Sequence, residues 1–456
     1  MKKVISLSLL SISLVACANN PFRSYNKEST NAIKSLNQGK TSVVLEQCES
    51  SSDVVLQMEC GSVQRFDSSY SKSNVNFSNA NLYVDAWAAS FHNKTGGAVL
   101  DATQAGLLND SAIDYQVKDY EKVMLSTYKS MNLISLGQYD DARIEMQRMY
   151  QLEQVIKNYR EQLYAQTQAN TQKEQQYSSA PSLDKFEAAN RSKYDFTSLD
   201  DPTVLALKNG YQSAFSHYLA GYLFEALGEP DLARPGYLNS YKINPTTLSG
   251  DAVKNLDNNN LVQNGYTDLL IIEEVGHAPQ LKSVNLNVPY NFGSNNCVGA
   301  VSIAFPELTV DKTDYPASNI SVNGKAMSPI MLTDIDLMAK RSLKDNIPNL
   351  FINNMIRVTR DVVAQQLACK SGNAFVSLGT TLSTAFLSSQ ADERSWVFLP
   401  SKFYVTRVRV PYGQVKLDMN TQSGSRSYNL NVSQPYQVVD FRIMGSTVYF
   451  NKSANM

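Results

Sequence analysis

The nucleophilic and metal-binding capacity of this chain rests on three histidines and five cysteines. His92, His217 and His277 stand alone, without neighbouring cysteines or paired acids, so no metal centre is expected. His217 falls at a bulky packing position of a helix and reads as structural. Cys17 is different. It follows a short basic start, Lys2-Lys3, an apolar run from Val4 to Val15 broken only by serines, and Ala16. A basic segment, about a dozen apolar residues and small residues before a cut describe a secretory signal, and here the residue at the cut is a thiol. Cys48 and Cys60 flank a turn expected at Glu49–Asp53, so a bridge between them across a helical hairpin is a candidate disulfide. Cys297 and Cys369 read as buried thiols, and the four cysteines beyond the signal leave three connectivities open. The absence of CxxC disfavours both a zinc ribbon and a thioredoxin-like site.

Catalytic patterns are missing. The sequence contains no GxSxG, no HExxH and no Gly-rich phosphate cradle before a helix. Asp392-Glu393-Arg394-Ser395-Trp396 sets acid, base and hydroxyl side by side, but consecutive residues of an extended segment point to opposite faces and do not converge. The expected role is structural: Trp396 fills a β-sandwich core, while Asp392 and Arg394 fix a helix-to-strand junction. No enzymatic activity, cofactor or metal is expected.

The elements that position these residues follow from length and periodicity. The 456 residues exceed one compact core, and 43% hydrophobic content with 25 tyrosines can fill sizeable ones. A formal net charge of −1 disfavours nucleic-acid binding, which needs concentrated Lys and Arg. Residues 24–255 read as helical, with apolar residues three and four apart. Gly137 in Leu136-Gly137-Gln138-Tyr139 and Gly228 in Leu227-Gly228-Glu229-Pro230 each follow an amphipathic stretch, and Ala142 and Ala233 come five residues later. Gly221, Tyr237 and Pro245 complete the second pattern at the small, aromatic and helix-ending positions of a tetratricopeptide unit of about 34 residues. The units cover 123–156 and 214–247. A weaker copy starts near Val54 with Gly61, Phe77 and Ala80, and a marginal fourth spans Tyr25–Met58 with Gly39 at its turn. Asn158 to Tyr177 reads as an extension of a second helix, with a looser excursion to Pro202.

In such an array Thr127, Tyr128 and Met131, and likewise Phe215, Tyr218 and Tyr222, fall on the face that lines the concave side. They form a candidate partner groove for a peptide. The competing reading is that these aromatics pack against neighbouring helices.

From about Gly265 the period changes to two. Leu269–Val275, Leu281–Val288, Val298–Phe305, Phe403–Val410, Gly413–Asp418, Tyr428–Val432, Gln437–Ile443 and Thr447–Phe450 read as strands, and Asn323-Gly324 as a hairpin turn. Residues 265–456 are therefore expected to form an antiparallel β-sandwich with a helical hairpin inserted at about 334–390, divided at Pro348. Lys340, Arg341, Lys344, Arg357 and Arg360 read as a solvated basic helix face. Ala374–Leu387, with Gly379 and Ser383 four apart, reads as a core helix under the sandwich. The fold class is thus α+β and multidomain: a tetratricopeptide-like α-solenoid, then the sandwich.

Leu14-Val15-Ala16-Cys17 resembles a bacterial lipobox, which implies cleavage before Cys17 and lipidation of its thiol. Residues 1–16 would then be the signal peptide and 17–23 a lipidated tether, with Ala18 implying sorting to the outer membrane, facing the periplasm. Residues 119–152, with Leu136-Gly137 and Asp141-Ala142-Arg143, and Asp392-Glu393-Arg394-Ser395-Trp396 with Leu399-Pro400 resemble a poorly characterised group of proteobacterial lipoproteins with tetratricopeptide-like N-terminal halves. That group is related by gene neighbourhood to lipoproteins akin to penicillin-binding-protein activators and curli-secretion lipoproteins. The resemblance implies a lipid-anchored scaffold that binds other envelope proteins during envelope or surface-structure assembly. The alternative is an accessory of a secretion pore, and the outside reading is a cell-wall hydrolase.

Overall fold

The computed structural model describes residues 25–48, 53–93, 115–177, 181–291, 298–311, 315–370 and 391–452. Cys17, Cys297, and the Ala374–Leu387 stretch with Gly379 and Ser383 lie outside them, as do the side chains of His92, Cys369, Arg357 and Arg360. The chain is α+β, with a helical N-terminal half and a strand-rich C-terminal half.

Helices α1 (Tyr25–Leu36), α2 (Thr41–Leu45), α3 (Val54–Phe66), α4 (Tyr70–Asn93), α5 (Asp119–Ser135) and α6 (Tyr139–Tyr177) come first. After them come α7 (Leu183–Asn190), α8 (Pro202–Ala206), α9 (Ala214–Ala226), α10 (Pro230–Ile243) and α11 (Thr247–Asp257). Three antiparallel pairs carry the half: α3 with α4, α5 with α6 and α9 with α10. Gly137 and Gly228 turn two of them at φ +74° and +73°, a left-handed conformation that glycine adopts without a Cβ penalty. Close approach within the pairs depends on small residues. A Cβ on Gly221 would lie 2.7 Å from the Tyr237 ring, and one on Gly61 would lie 2.3 Å from that of Phe77. Asp53, Ser213 and Thr246 cap α3, α9 and α11 by accepting from the backbone N–H groups of Val55, Ser216 and Ser249. The marginal first unit is not a matching pair: its second helix is only Thr41–Leu45, followed by a 3-10 turn over Glu46–Cys48.

The strands are β1 (Tyr266–Val275), β2 (Gln280–Asn291), β3 (Val298–Thr309), β4 (Asn319–Val322), β5 (Lys325–Met327) and β6 (Ile330–Asp334). Helix α12 (Ile335–Lys370) intervenes before β7 (Lys402–Pro411), β8 (Gly413–Thr421), β9 (Gly424–Val432), β10 (Tyr436–Met444) and β11 (Thr447–Lys452). The largest sheet has the order β11-β10-β1-β7-β6, a second has β5-β4-β8-β9, and β2 and β3 form a hairpin of their own. The expectation of purely antiparallel strands needs correction. β1 pairs with β10 in parallel, Asp268 opposite Tyr436 through Val275 opposite Ile443, so the large sheet is mixed. Strand periodicity reports which residues share a face and carries no information on neighbour direction. The inserted helix also differs. It runs through Pro348 without a break over Ile335–Lys370, so Pro348 does not divide two helices among the described residues.

Two faces of the five-stranded sheet have different tenants. Leu269, Ile271, Val439 and Phe441 pack against Val415, Leu417, Leu430 and Val432 of the second sheet. Leu270, Ile272, Phe403 and Val405 join the helical core, which runs from Ile33 and Met58 through Tyr128 and Tyr222 to Met444. Both faces of β1 are therefore covered, which explains why Leu269–Ile272 reads as an unbroken apolar run.

Candidate functional site

The helical face that carries the six groove candidates is covered by the chain itself. Thr127, Tyr128, Phe215, Tyr218 and Tyr222 are 0% exposed and Met131 is 3% exposed. Phe215 stacks on Phe403 of β7 with ring centroids 4.3 Å apart. Tyr128 donates its hydroxyl proton to Glu274 of β1 and packs edge-on to Trp396 at 5.6 Å. The Tyr222 hydroxyl donates to the backbone carbonyl of Asp268, and its ring meets Tyr436. Thr127 bonds Ser216 at 2.8 Å, helix to helix. These six residues do not line an open groove. Their aromatic stripe buries apolar area against the mixed sheet, the largest stabilising option such a face has.

Buried charges stitch that interface. Arg65 of α3 pairs with Asp440 of β10, lies 3.8 Å from Glu274 and donates to Asn132 at 2.8 Å. Arg407 of β7 meets Asp268 at 2.8 Å and Glu225 at 2.7 Å, and Tyr237 donates to Glu225 at 2.6 Å. Buried pairs of this kind fix register more than they add stability, since desolvation offsets most of the attraction.

The Asp392–Trp396 segment belongs to the same seam. Arg394 grips Asp392 and reaches Asp53, with Nη1 to Oδ2 at 2.9 Å, so the residue that caps α3 also anchors the segment leading to β7. Trp396 is fully buried, but it does not fill the space between the two sheets. Its indole N–H donates to Ser62 of α3 at 2.9 Å, and its backbone N–H donates to Glu121 of α5 at 2.9 Å. An indole carries a donor that needs a partner when buried, and α3 supplies it. Cys48 and Cys60 are joined, with Cα atoms 5.7 Å apart, tying the 3-10 turn to the middle of α3.

The open site lies elsewhere. A cleft of about 870 Å3 runs between α6, the 208–212 loop and α12. At its floor His217 of α9 places Nε2 3.1 Å from Oε1 of Glu153, and Gln212 donates to the other Glu153 oxygen at 3.0 Å. The His217 ring lies 5.1 Å from that of Tyr150. The Nδ1 of His217 and the hydroxyl of Tyr150 are buried with no hydrogen-bond partner among the described residues. Beside them Asp119 accepts from Lys122 and Arg160. Burial alone would raise the Asp119 carboxyl, but those two cations outweigh it and hold it at about 2. Higher up, Arg341 pairs with Asp345, and Lys344 with Asp200, so two of the cations on the basic side of α12 are engaged.

Chemically, the cleft offers tyrosines, amides and internally neutralised ion pairs, suited to holding a polar molecule. Among the described residues no group of three or more His, Cys, Asp or Glu side chains could hold a metal, and no helix is long and apolar enough to cross a membrane. The sequence reading placed His217 in the packing, and it is buried. Its acidic partner escaped notice because Glu153 lies 64 residues earlier. The available signal was Glu153 on the helix now forming the cleft wall, one turn after Tyr150. No family model, curated protein or solved structure matches this chain.

Proposed function

We propose that this chain is a membrane-anchored periplasmic scaffold or adaptor lipoprotein, held at the outer membrane through Cys17 and binding envelope proteins during envelope or surface-structure assembly. The observation that carries the reading is the thiol at the end of the apolar run, Leu14-Val15-Ala16-Cys17. The Cys48–Cys60 bridge supports it, because such bonds persist in oxidising compartments. From Cys17 to Tyr25 the chain advances eight residues, a reach of at most ~28 Å, so the helical body stays close to the bilayer surface. One acyl chain gives only marginal membrane binding, so a stable anchor requires more than one. The helical hairpins are proposed to be tetratricopeptide-like and the stacked sheets a β-sandwich. Because the mixed sheet covers the aromatic helix face, partners meet the outer helix faces.

The test is metabolic labelling with an alkyne fatty acid, combined with crosslinking from membranes. Label on the wild-type chain, its loss in Cys17→Ser together with release from the membrane fraction, and crosslinks to envelope proteins are the expected results. An unlabelled cytosolic protein would overturn the anchor. A labelled protein crosslinked only to components of a secretion pore would shift the reading to a pore accessory.

A further inference from the structure

We propose that the cleft between α6, the 208–212 loop and α12 is a binding site for a short neutral oligosaccharide. Its volume, about 870 Å3, falls in the range of roughly 300–1,000 Å3 typical of small-molecule sites.

Charge comes first. Most charged groups are already paired: Asp119 with Lys122 and Arg160 deep in the cleft, Asp345 with Arg341 and Lys344 with Asp200 higher up, while at the floor Glu153 accepts from Gln212 and contacts His217. What remains nearer the mouth is balanced, Lys157 and Lys208 against Glu161 and Glu187. Such a cleft selects neither an anion nor a cation, and a charged ligand would have to compete with existing pairs.

Hydrogen-bonding capacity comes second. Gln154 and Asn239 line the walls with amides that can donate and accept at once, while the wall amides of Asn209 and Asn349 are engaged within the loop and within α12. A sugar hydroxyl does the same, so amides match hydroxyl pairs where carboxylates or ammonium groups alone would not. At the floor the Tyr150 hydroxyl and His217 Nδ1 are polar atoms without partners among the described residues, a state uncommon in folded proteins.

Aromatic surface comes third. Tyr164 lies 64% exposed on α6 at the cleft, Tyr211 is half-buried on the facing loop, and Tyr150 lies deeper. A flat, exposed tyrosine beside amides fits the C–H face of a sugar ring, which is apolar while its edge is polar. Leu163, Leu183, Ile347 and Pro348 are the aliphatic side chains of the lining, interleaved with charged and amide groups, so a lipid tail would meet a broken apolar surface. This site is independent of Cys17 and of the scaffold reading.

The test uses the full chain purified in a detergent without a sugar headgroup. Saturation-transfer NMR with chitotetraose and maltotetraose, after a screen on an array of neutral oligosaccharides, should show transfer to ring protons. Tyr164→Ala and Gln154→Ala, both at exposed positions, should weaken binding about three- to tenfold with an unchanged Tm. Absence of transfer from every neutral oligosaccharide, transfer unchanged in both variants, or binding only of charged peptides would each overturn the proposal.

Discussion

Replacing Glu59 by glutamine should make this protein more stable at alkaline pH while leaving it nearly unchanged at pH 5. Glu59 lies in the middle of α3, buried between the helices and the Asp392–Trp396 segment. Burial pushes its carboxyl from an ordinary 4.5 up to about 8. Hydrogen bonds from Tyr25 and the Val397 backbone pull the other way, and the nearby Asp53 and Glu121 carboxylates push further up. The sign follows from proton counting. Between pH 4.5 and 8 the folded chain keeps a proton that the unfolded chain has lost, so stability falls as pH rises. At about 1.36 kcal/mol per pH unit, the gap corresponds to at most about 5 kcal/mol by pH 8, and about 3 kcal/mol at pH 7. Glutamine mimics the protonated acid and removes this loss. Urea unfolding of wild type and Glu59→Gln, followed by circular dichroism from pH 5 to 8.5, reads the difference directly. Carboxylates with the opposite behaviour, such as Asp119 held at about 2, are common to both proteins and cancel. Glu273 and Asp336, each raised to about 7 chiefly by burial, add to the wild-type slope with the same sign and also cancel. A stability difference that stays flat across this range, or that favours wild type more as pH rises, would refute the reasoning.

Trp396→Ala should cost about 3–5 kcal/mol in denaturant unfolding, since it empties a fully buried aromatic site and strands Ser62; Trp396→Phe should cost less. Reducing Cys48–Cys60, which closes a separation of 12 residues, should lower stability by about 3 kcal/mol, and the unreduced protein should resist maleimide at both thiols. Gly221→Ala should lose about 1–3 kcal/mol because its Cβ meets the Tyr237 ring, and Tyr237→Leu in the same chain should recover part of that loss. Arg407→Met leaves Glu225 buried without its cation and Asp268 with only Arg409 at 3.4 Å, and about 3–5 kcal/mol should disappear, measured as a shift in the denaturation midpoint.

Much of the architecture was legible because it depends on local pattern. The glycines at 137 and 228 mark the hairpin turns, Gly221 and Tyr237 mark the close pair, and Asn323-Gly324 sits at φ +50° and +78° between β4 and β5. Strand positions followed from alternation, apart from the short β6, whose five residues run directly into α12. What periodicity cannot supply is the partner of a face. Tyr128, Phe215 and Tyr222 form an aromatic stripe either way, and whether a peptide or a sheet covers it depends on β1 and β7, far along the chain. The same holds for the cleft. Glu153 and His217 meet only because α6 and α9 pack side by side, and the one local signal, Tyr150 a turn before Glu153, does not point to His217.

The parallel pairing of β1 with β10 also dictates an order of events during synthesis. Asp268 must wait for Tyr436 before the large sheet can close, while the helices that share its core, α3, α5 and α9 among them, come earlier in the chain. Until the later strands arrive Phe215 and Tyr222 lack their aromatic neighbours Phe403 and Tyr436, and Tyr128 lacks Trp396 and Phe403. A chain truncated ahead of residue 436 therefore lacks β10 and β11 and leaves the β10-facing edge of β1 open.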